Sequence, residues 1–437
     1  MTLRGRLGPL EEQQFRLLFI GQVVSLLGDG MTGVALSFAV LDLTGSVSDL
    51  GFVFAARAIP LILFLLVGGV FADRLPRRAV MLTADAVRFT CQGVVAALLI
   101  SGHAEIWQLI VTQAFYGTAT AFFNPASSGL IPMTVSAARL QQANALRGVA
   151  NATGNVLGPL LAGLLVTATS PGWALAVDSV TFAVSAVFLA RLRLPAQVRL
   201  PAKPFVDDLV EGWREFTART WVWANLIYAG AGNVAASVFT ILGAFVAKES
   251  LGGAGSWAVI VAGFGLGAVV GNLVALKVRP SRPLVLANLG CALVALPPAL
   301  IALRAPTGVI TAGAFAGGLG IAFFNPLWET ALQRHIPPAV LSRVTAYDWL
   351  VSVGLTPVGQ MLVGPISAGI GIDTTLWLAS AIFAGGAGAV LAVPSVRNLR
   401  DDGPTLATET GPLDLPGSGG QVVPEVEQHV VDREGQR

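Results

Sequence analysis

Charged residues, cysteine and histidine are all scarce in this sequence. Of its 437 residues only 12% are charged, and the chain has 2 cysteines and 3 histidines. These are too few ligands for a disulfide framework or a metal cluster, so Cys91 and Cys291 are expected to be small packing residues. The histidines fall in predicted loops or the C-terminal tail without catalytic companions. We therefore expect no metal, no cofactor and no enzymatic activity.

Two further absences narrow the function. The chain has no Gly-Lys-Thr/Ser phosphate-binding loop, so ATP is not expected to drive it. The net charge is only +2 and the basic residues are spread along predicted loop edges, so no nucleic-acid partner is expected.

Apolar residues, in contrast, make up 54% of the chain and form long runs. A helix needs about 20 apolar residues to cross about 30 Å of hydrocarbon. The runs predict an all-α membrane protein with twelve transmembrane helices and the lipid bilayer as its surroundings. The predicted spans are 15–40, 49–72, 79–101, 106–126, 141–167, 172–191, 221–247, 255–276, 283–303, 308–328, 342–369 and 373–394.

A short repeat indicates that one half of the chain is a duplicate of the other. The sequence Ala-Phe-Phe-Asn-Pro at 121–125 returns 201 residues later at 322–326, and the same offset aligns Gly158 with Gly359. Six predicted spans precede residue 205 and six follow it. Internal duplication in an apolar chain is typical of a transporter with two pseudo-symmetric bundles.

The charge of the loops predicts orientation and domain boundaries. Lys and Arg gather in alternate loops, such as 74–78 and 191–203, while the opposite loops hold Lys248 and Arg304. The positive-inside rule then places both termini in the cytoplasm of a multi-pass protein of the cell inner (plasma) membrane. We predict an N-terminal six-helix bundle (1–191), a cytoplasmic loop with an amphipathic helix (192–220), a C-terminal six-helix bundle (221–395) and a disordered cytoplasmic tail (396–437).

Two motifs predict moving parts. The first follows the second span and ends in a basic cluster that could lock the bundles together through charge pairs; it comprises Gly69, Asp73, Arg74, Arg77 and Arg78. The second lies in the fifth span, where small residues allow close helix packing and a proline removes a backbone hydrogen bond; it comprises Gly154, Gly158, Pro159 and Gly163. The basic cluster has a second interpretation, in which it only sets topology.

These motifs resemble those of the major facilitator superfamily. The loop motif is similar to its loop signature, and the fifth-span motif to its antiporter motif, with Ala162 where a glycine is usual. Together with Ser25–Asp29 and Ala174–Ser185, they resemble the drug-efflux branch that holds macrolide-efflux and enterobactin-exporter type proteins. The resemblance implies proton-driven export of bulky amphiphilic small molecules such as drugs, macrolides or siderophores, and a gate in which Asp73 and its arginines meet the eleventh helix near Asp348.

Ionisable residues within spans are the candidates for coupling, because charges in a bilayer are usually retained for function or pairing. Asp29, between Gly28 and Gly30 that could allow a bend, is the candidate proton carrier, with Arg57 as counter-ion or substrate contact. Alternatively, Asp29 and Arg57 form a permanent pair. The remaining deep charges are Asp85, Arg88, Arg147 and Asp178. Asp85 and Arg88, three apart on one helix face, could pair with each other or with Asp178.

The substrate would bind in a broad apolar cavity with few directional contacts. Its candidate lining is aromatic with one amide, and each aromatic could instead be ordinary packing: Phe115, Tyr116, Phe122, Asn233, Phe239, Phe315 and Phe324. The expected partners are a small-molecule substrate and protons, and a monomer is expected. The alternatives are a proton- or sodium-coupled importer of a small organic solute, a lipid flippase, and a non-transporting membrane receptor or scaffold.

Overall fold

The computed structural model describes residues 8–193, 219–278, 280–336 and 351–400 together with Val344 and Asp348, except for the side chains of 65–74 and of Ala137. Within these residues every regular element is a helix. The predicted loop 192–220 and tail 396–437 lie mostly outside this part of the chain, as does the start of the predicted span 342–369.

The first half contains six helices after a short 3-10 turn at Gly8–Glu11. Gly45 and Gly102, with φ of 65° and 74°, end the first and the third of these helices in the left-handed conformation that glycine adopts without strain. The helices are α1 (Gln13–Thr44), α2 (Val47–Arg74), α3 (Arg77–Ser101), α4 (Ile106–Leu130), α5 (Leu140–Ala168) and α6 (Pro171–Ala190).

The second half contains six more long helices and a short seventh, α13 (Pro394–Arg397). A 3-10 turn at Leu293–Ala295 interrupts the third of these long helices just before Pro297 and Pro298, which cannot donate the backbone hydrogen bonds of a regular α-helix. The long helices are α7 (Thr220–Ser250), α8 (Ala254–Ala275), α9 (Pro283–Ala302), α10 (Thr307–His335), α11 (Val351–Ile370) and α12 (Ile372–Ala392).

Eleven described helices are long and apolar enough to cross a membrane. The exception is α4, which has the length at 25 residues but carries many amide and hydroxyl side chains. It packs between α2 and α3, where Gln113, Tyr116 and Ser127 are buried. The sequence therefore predicted α4 correctly as a helix, and its polarity reflects interior contacts.

The two halves pack in the same way. In the first half α1 packs against α5 and α6, α4 against α2 and α3, and α3 against α6. In the second half α7 packs against α11 and α12, α10 against α8 and α9, and α9 against α12. Each pair recurs six helices later, so the predicted fold of two pseudo-symmetric six-helix bundles is confirmed.

Contacts between the halves gather at the end where α1 stops and α2 begins, here called the α1–α2 end. Small residues bring α5 against α8 and α2 against α11; a Cβ on Gly364 would lie 2.5 Å from the Ser48 Cα. At the same end the Lys248 ammonium on α7 pairs with the Asp42 carboxylate on α1 at 2.6 Å. The halves are thus joined tightly at the α1–α2 end.

Candidate functional site

A network of charged side chains crosses the middle of the first half. The Asp29 carboxylate on α1 lies 4.0 Å from the Arg57 guanidinium on α2 and 3.6 Å from the Arg88 guanidinium on α3. Asp29 is 27% exposed and Arg57 is 24% exposed, whereas Arg88 is only 2% exposed. Asp29 therefore joins a buried cation to one that solvent can reach.

Arg88 is compensated on several sides. Its guanidinium donates to the Asp85 carboxylate one turn away on α3, as the spacing allowed. The rings of Phe123 and Phe182 lie 3.9 Å and 4.5 Å from its guanidinium carbon, which is within range of cation–π attraction. A buried arginine costs little free energy only when it has such partners.

Tyr116 belongs to this network and not to a substrate surface. Its hydroxyl donates to the Asp29 carboxylate, and the Arg57 guanidinium carbon lies 4.3 Å from the centre of its ring. The side chain is fully buried, and the structure places it beside Asp29 and Arg57. It is one of only 3 tyrosines in the chain, but no sequence signal linked it to Asp29.

Asp178 on α6 stands apart from the arginines. Its Oδ2 accepts hydrogen bonds from the Thr32 hydroxyl at 2.8 Å and from the Gln92 amide at 2.6 Å. Gln113 on α4 extends this amide chain by donating to Gln92 at 3.2 Å. Of the two alternatives for Asp85 and Arg88, the structure has the pair with each other and not the pairs with Asp178.

Arg147 on α5 lies away from the network. Its guanidinium donates to the hydroxyls of Ser127 and Ser128 on α4 at 3.5 Å and 3.4 Å. The structure therefore does not bring Arg147 together with the other five predicted deep charges.

The fifth-helix glycines pack against the segment of α1 that carries Asp29. A Cβ on Gly158 would lie 2.5 Å from the Gly30 carbonyl carbon, and a Cβ on Gly154 would lie 2.8 Å from the Leu26 oxygen. Further along α5, a Cβ on Gly163 would lie 3.2 Å from the Ala254 oxygen on α8. Helix α5, which remains helical through Pro159, thus connects the Asp29 segment to the second half.

Gly28 and Gly30 have a packing role that differs from the predicted bend. A Cβ on Gly28 would lie 3.1 Å from the Thr181 Cβ, and closer still to the Asp178 carboxylate. Helix α1 continues without interruption from Gln13 to Thr44. Both glycines therefore let α5 and α6 approach α1 on either side of Asp29.

Replacing Gly158 with alanine is expected to destabilise the protein by about 1–3 kcal/mol, because the new methyl group would force α1 and α5 apart. Thermal unfolding of the purified protein in detergent measures this. Gly148→Ala on the same helix is the matched control, since a Cβ there meets nothing within 4 Å. Equal melting temperatures for the two variants would show that the α1–α5 contact is not tight.

The described members of the predicted gate make contacts within their own halves. The Arg77 guanidinium donates to the Gly129 carbonyl at the end of α4, and Arg78 donates to the Leu189 carbonyl of α6 at 2.9 Å. Such cations complement the negative end of a helix dipole. Asp348 accepts from the Trp328 indole at 3.1 Å. The side chains of Gly69, Asp73 and Arg74 lie outside the described residues, and no described contact joins Arg78 to Asp348.

A cavity of about 530 Å³ lies in the second half and is lined by residues of all six long helices, α7 to α12. Of the predicted lining residues it contains Asn233 and Phe324. Its other polar lining residues include Asn225, Asn325, Glu329, Gln333, Asp348 and Ser352. Many of these lie near the start of α7 and the end of α10, so the cavity extends away from the α1–α2 end.

The remaining predicted lining residues lie outside this cavity. Phe115 and Phe122 line a separate groove of about 350 Å³ on the outside of α3 and α4. Phe239 packs on Trp257 with ring centres 5.2 Å apart, and neither it nor Phe315 is among the lining residues. Membrane helices are apolar on both faces, so periodicity could not separate cavity aromatics from lipid-facing ones.

The cavity is acidic and aromatic. Glu329 and Asp348 face it, and no Lys, Arg or His is among the lining residues that the structure describes. The Trp328 ring stacks on Phe324 with centres 6.0 Å apart. Among the described residues no cluster of three or more His, Cys, Asp or Glu side chains is suited to a metal ion. The lining suits an amphiphilic organic molecule bound by area, with a few polar contacts.

Two bundles with matching helix contacts, a cavity and an intramembrane charge network define a transporter of the major facilitator fold. The chain belongs to the transmembrane secretion effector family of the major facilitator superfamily, whose family model matches residues 4–432. It is therefore a multi-pass membrane transporter, as the motifs predicted, and not an enzyme.

Known proteins similar to this chain include exporters. Enterobactin exporter EntS of Escherichia coli O1:K1 / APEC is 26% identical over 372 residues, covering 81% of this chain and 85% of that protein. Enterobactin exporter EntS of Salmonella typhimurium is 26% identical over 368 residues, covering 81% and 86% of the two chains.

Solved structures share the fold at low sequence identity. A crystal structure of nucleoside transporter NupG matches with a TM-score of 0.69 at 13% identity, covering 87% of this chain and 98% of that one. A bacterial homolog of the human lysosomal transporter Spinster matches with a TM-score of 0.64 at 15% identity, covering 91% and 95%. These matches support the fold alone.

Proposed function

We propose that this protein is a proton-coupled exporter, an antiporter of bulky amphiphilic small molecules that works by alternating access. The observation that carries the proposal is the partly exposed Asp29 carboxylate between Arg57 and Arg88. An ionisable group that pairs with cations inside a membrane and remains open to solvent can exchange a proton and change its partners in doing so. The similarity to enterobactin exporters supports the outward direction.

Protonation of Asp29 would remove the charge that attracts both guanidiniums. Arg57 and Arg88 would then be free to shift relative to α1. Gly30 on α1 contacts Gly158 on α5, and α5 packs on α8 of the other half. A shift of α1 would therefore displace α5 and change the contacts between the halves. The fifth-helix motif is, in this proposal, the mechanical link between proton binding and bundle movement.

The positive-inside rule supports an inner-membrane protein with both termini in the cytoplasm. With that orientation the tightly joined α1–α2 end is the outer one, and the second-half cavity extends towards the cytoplasm. Substrate would enter the cavity from this side. The proposed gate would close this side after the two bundles rock; it consists of Gly69, Asp73, Arg74, Arg77, Arg78 and Asp348. One chain supplies every part of this mechanism, so the proposed transport unit is a monomer.

The test is transport in everted membrane vesicles. Accumulation of a fluorescent lipophilic cation and of a neutral macrolide is measured with an imposed proton gradient and after its collapse by a protonophore. We expect accumulation of at least one compound that the protonophore abolishes. Accumulation that persists without a proton gradient, or that follows a sodium gradient instead, would refute proton coupling.

The charge of the substrate is expected to affect its binding affinity, because the Glu329 carboxylate faces the cavity. Glu329→Gln is expected to lower affinity for lipophilic cations about tenfold while changing that for a neutral compound little, since an ion pair to a ligand contributes about 1–2 kcal/mol in a partly desolvated site. Equilibrium binding of both compounds to the purified protein measures this. Glu249→Gln, an exposed carboxylate on α7 outside the cavity lining, is the control. An equal loss for both compounds would exclude charge recognition by Glu329.

A further inference from the structure

The first-half network has more negative than positive groups. Its ion pairs contain the carboxylates of Asp29 and Asp85 and the guanidiniums of Arg57 and Arg88, and the carboxylate of Asp178 lies beside them against Gly28 of α1. With all five ionised, one negative charge would remain uncompensated inside a protein surrounded by lipid. An isolated ionised carboxylate in such a medium costs so much free energy that the group binds a proton instead. One of the three carboxylates should therefore carry a proton.

The contacts indicate which carboxylate that is. Asp85 pairs with Arg88, and Asp29 lies near both Arg88 and Arg57. Asp178 is fully buried, and among the described residues no basic side chain lies within 4.0 Å of it. Its contacts are with neutral donors only, the Thr32 hydroxyl and the Gln92 amide.

The two oxygens of Asp178 differ as those of a carboxylic acid do. Oδ2 accepts two hydrogen bonds, as a carbonyl oxygen can, whereas the buried Oδ1 has no partner. Leaving a neutral hydroxyl unpaired costs less than leaving an anionic oxygen unpaired. The proton is therefore assigned to Oδ1.

We propose that Asp178 is a second proton-binding site, which holds the proton in this conformation and exchanges it with Asp29. Oδ1 sits against Gly28, the residue next to Asp29, and Thr32, one turn further on α1, donates to the same carboxylate. In the exchange the O–H bond of Asp178 breaks and an O–H bond forms on Asp29, so the network keeps one proton and stays neutral. The inference rests on the proposed proton coupling and deepens it.

The charge balance around Asp178 depends on the titratable groups of the neighbouring helices. They are Asp29 on α1, Arg57 on α2, Asp85, Arg88 and the free thiol of Cys91 on α3, and Tyr116 on α4. Helix α5, which also packs on α6, contributes Arg147 only at a distance, bonded to serines of α4. If Asp29 takes up a proton from solvent, Asp178 is then the group that must release its own proton.

The test is infrared spectroscopy of the purified protein in liposomes at neutral pH. The carbonyl stretch of a protonated carboxylic acid is separate from the bands of carboxylates and amides. We expect such a band in the wild type and its loss in Asp178→Asn, which mimics the neutral acid in shape. We also expect its loss in Asp29→Asn, because removing the Asp29 charge lets Asp178 ionise. Asp373→Asn, which alters an exposed carboxylate paired with Arg304, should leave the band unchanged.

The outcomes separate this inference from the proposed function. A wild-type spectrum without the band at neutral pH, or a band retained in Asp178→Asn, would overturn the second site even if transport follows the proton gradient. A band that persists in Asp29→Asn would exclude the exchange between the two carboxylates. If the band is present but transport does not follow a proton gradient, Asp178 remains a proton-binding site and the proposed antiport is rejected. The wild-type spectrum alone decides the first point if a variant fails to fold.

Discussion

Arg88→Leu is expected to prevent the protein from folding, or to lower its stability by about 3–5 kcal/mol. The guanidinium of Arg88 is 2% exposed and pairs with both Asp85 and Asp29. Without it two carboxylates lose their shared cation, and the packing against Phe123 and Phe182 is lost as well. Removing one partner of a buried ion pair lowers stability by more than the net stability that the pair contributes, because the remaining charge stays buried without a counter-ion.

The measurement is the yield and melting temperature of monodisperse protein after extraction in detergent. Arg147→Leu is the matched control, because its guanidinium donates only to serine hydroxyls in the described part of the chain. Adding Asp85→Asn to Arg88→Leu removes one of the stranded charges and should recover part of the loss. If Arg88→Leu has the same yield and melting temperature as the wild type, the network contributes little to the stability of the fold.

Asp29→Asn is expected to reduce uphill export to the level of protein-free liposomes while the protein remains folded and binds substrate. Asparagine cannot take up or release a proton, but its amide oxygen can still accept from Tyr116 and lie beside Arg57 and Arg88. The variant therefore resembles Asp29 held permanently in its protonated form. Coupling needs both forms, so accumulation against a gradient should stop.

Transport by proteoliposomes with an imposed proton gradient measures this, together with substrate binding to the same preparation. Glu249→Gln, an exposed carboxylate near the end of α7, controls for the loss of any acidic side chain. Loss of binding together with transport would assign Asp29 to substrate recognition. Unchanged uphill export would move the coupling site to another residue.

The sequence predicted the helices well because the bilayer limits what a chain can do. A lipid-exposed backbone must satisfy its own hydrogen bonds, so a long apolar run has to be a helix. The predicted first span 15–40 lies within Gln13–Thr44, and the predicted fifth span 141–167 lies within Leu140–Ala168. The repeated pentapeptide likewise reflected the recurring helix contacts of the two halves.

Pairs within one helix were also accessible from the sequence, whereas pairs between helices were less so. The spacing of Asp85 and Arg88 fixes them on one face of α3. Asp29 was matched with Arg57 on the general ground that buried charges pair, but the contacts of Asp29 with Tyr116 and Arg88 depend on how α1, α3 and α4 pack. Linear spacing does not contain that information.

The cavity was the least predictable part. Phe115 is 60% exposed on an outer groove, and Phe324 is 9% exposed and lines the cavity, yet each lies in an apolar run of similar composition. Glu329 and Asp348 both line the cavity, although Asp348 was expected in the gate and Glu329 was not among the candidate lining residues. Whether an aromatic or acidic residue of α10 faces the cavity depends on how the surrounding helices pack against α10.

The most direct test of proton-coupled export is the proton movement that substrate itself causes. Purified protein is placed in sealed liposomes that enclose a pH-sensitive dye, with no imposed pH gradient, and a substrate gradient is applied. Antiport predicts that protons move opposite to the substrate, that a protonophore dissipates the resulting pH change, and that Asp29→Asn shows no pH change. Proton movement in the same direction as the substrate, or substrate flux without any proton movement, would contradict the account.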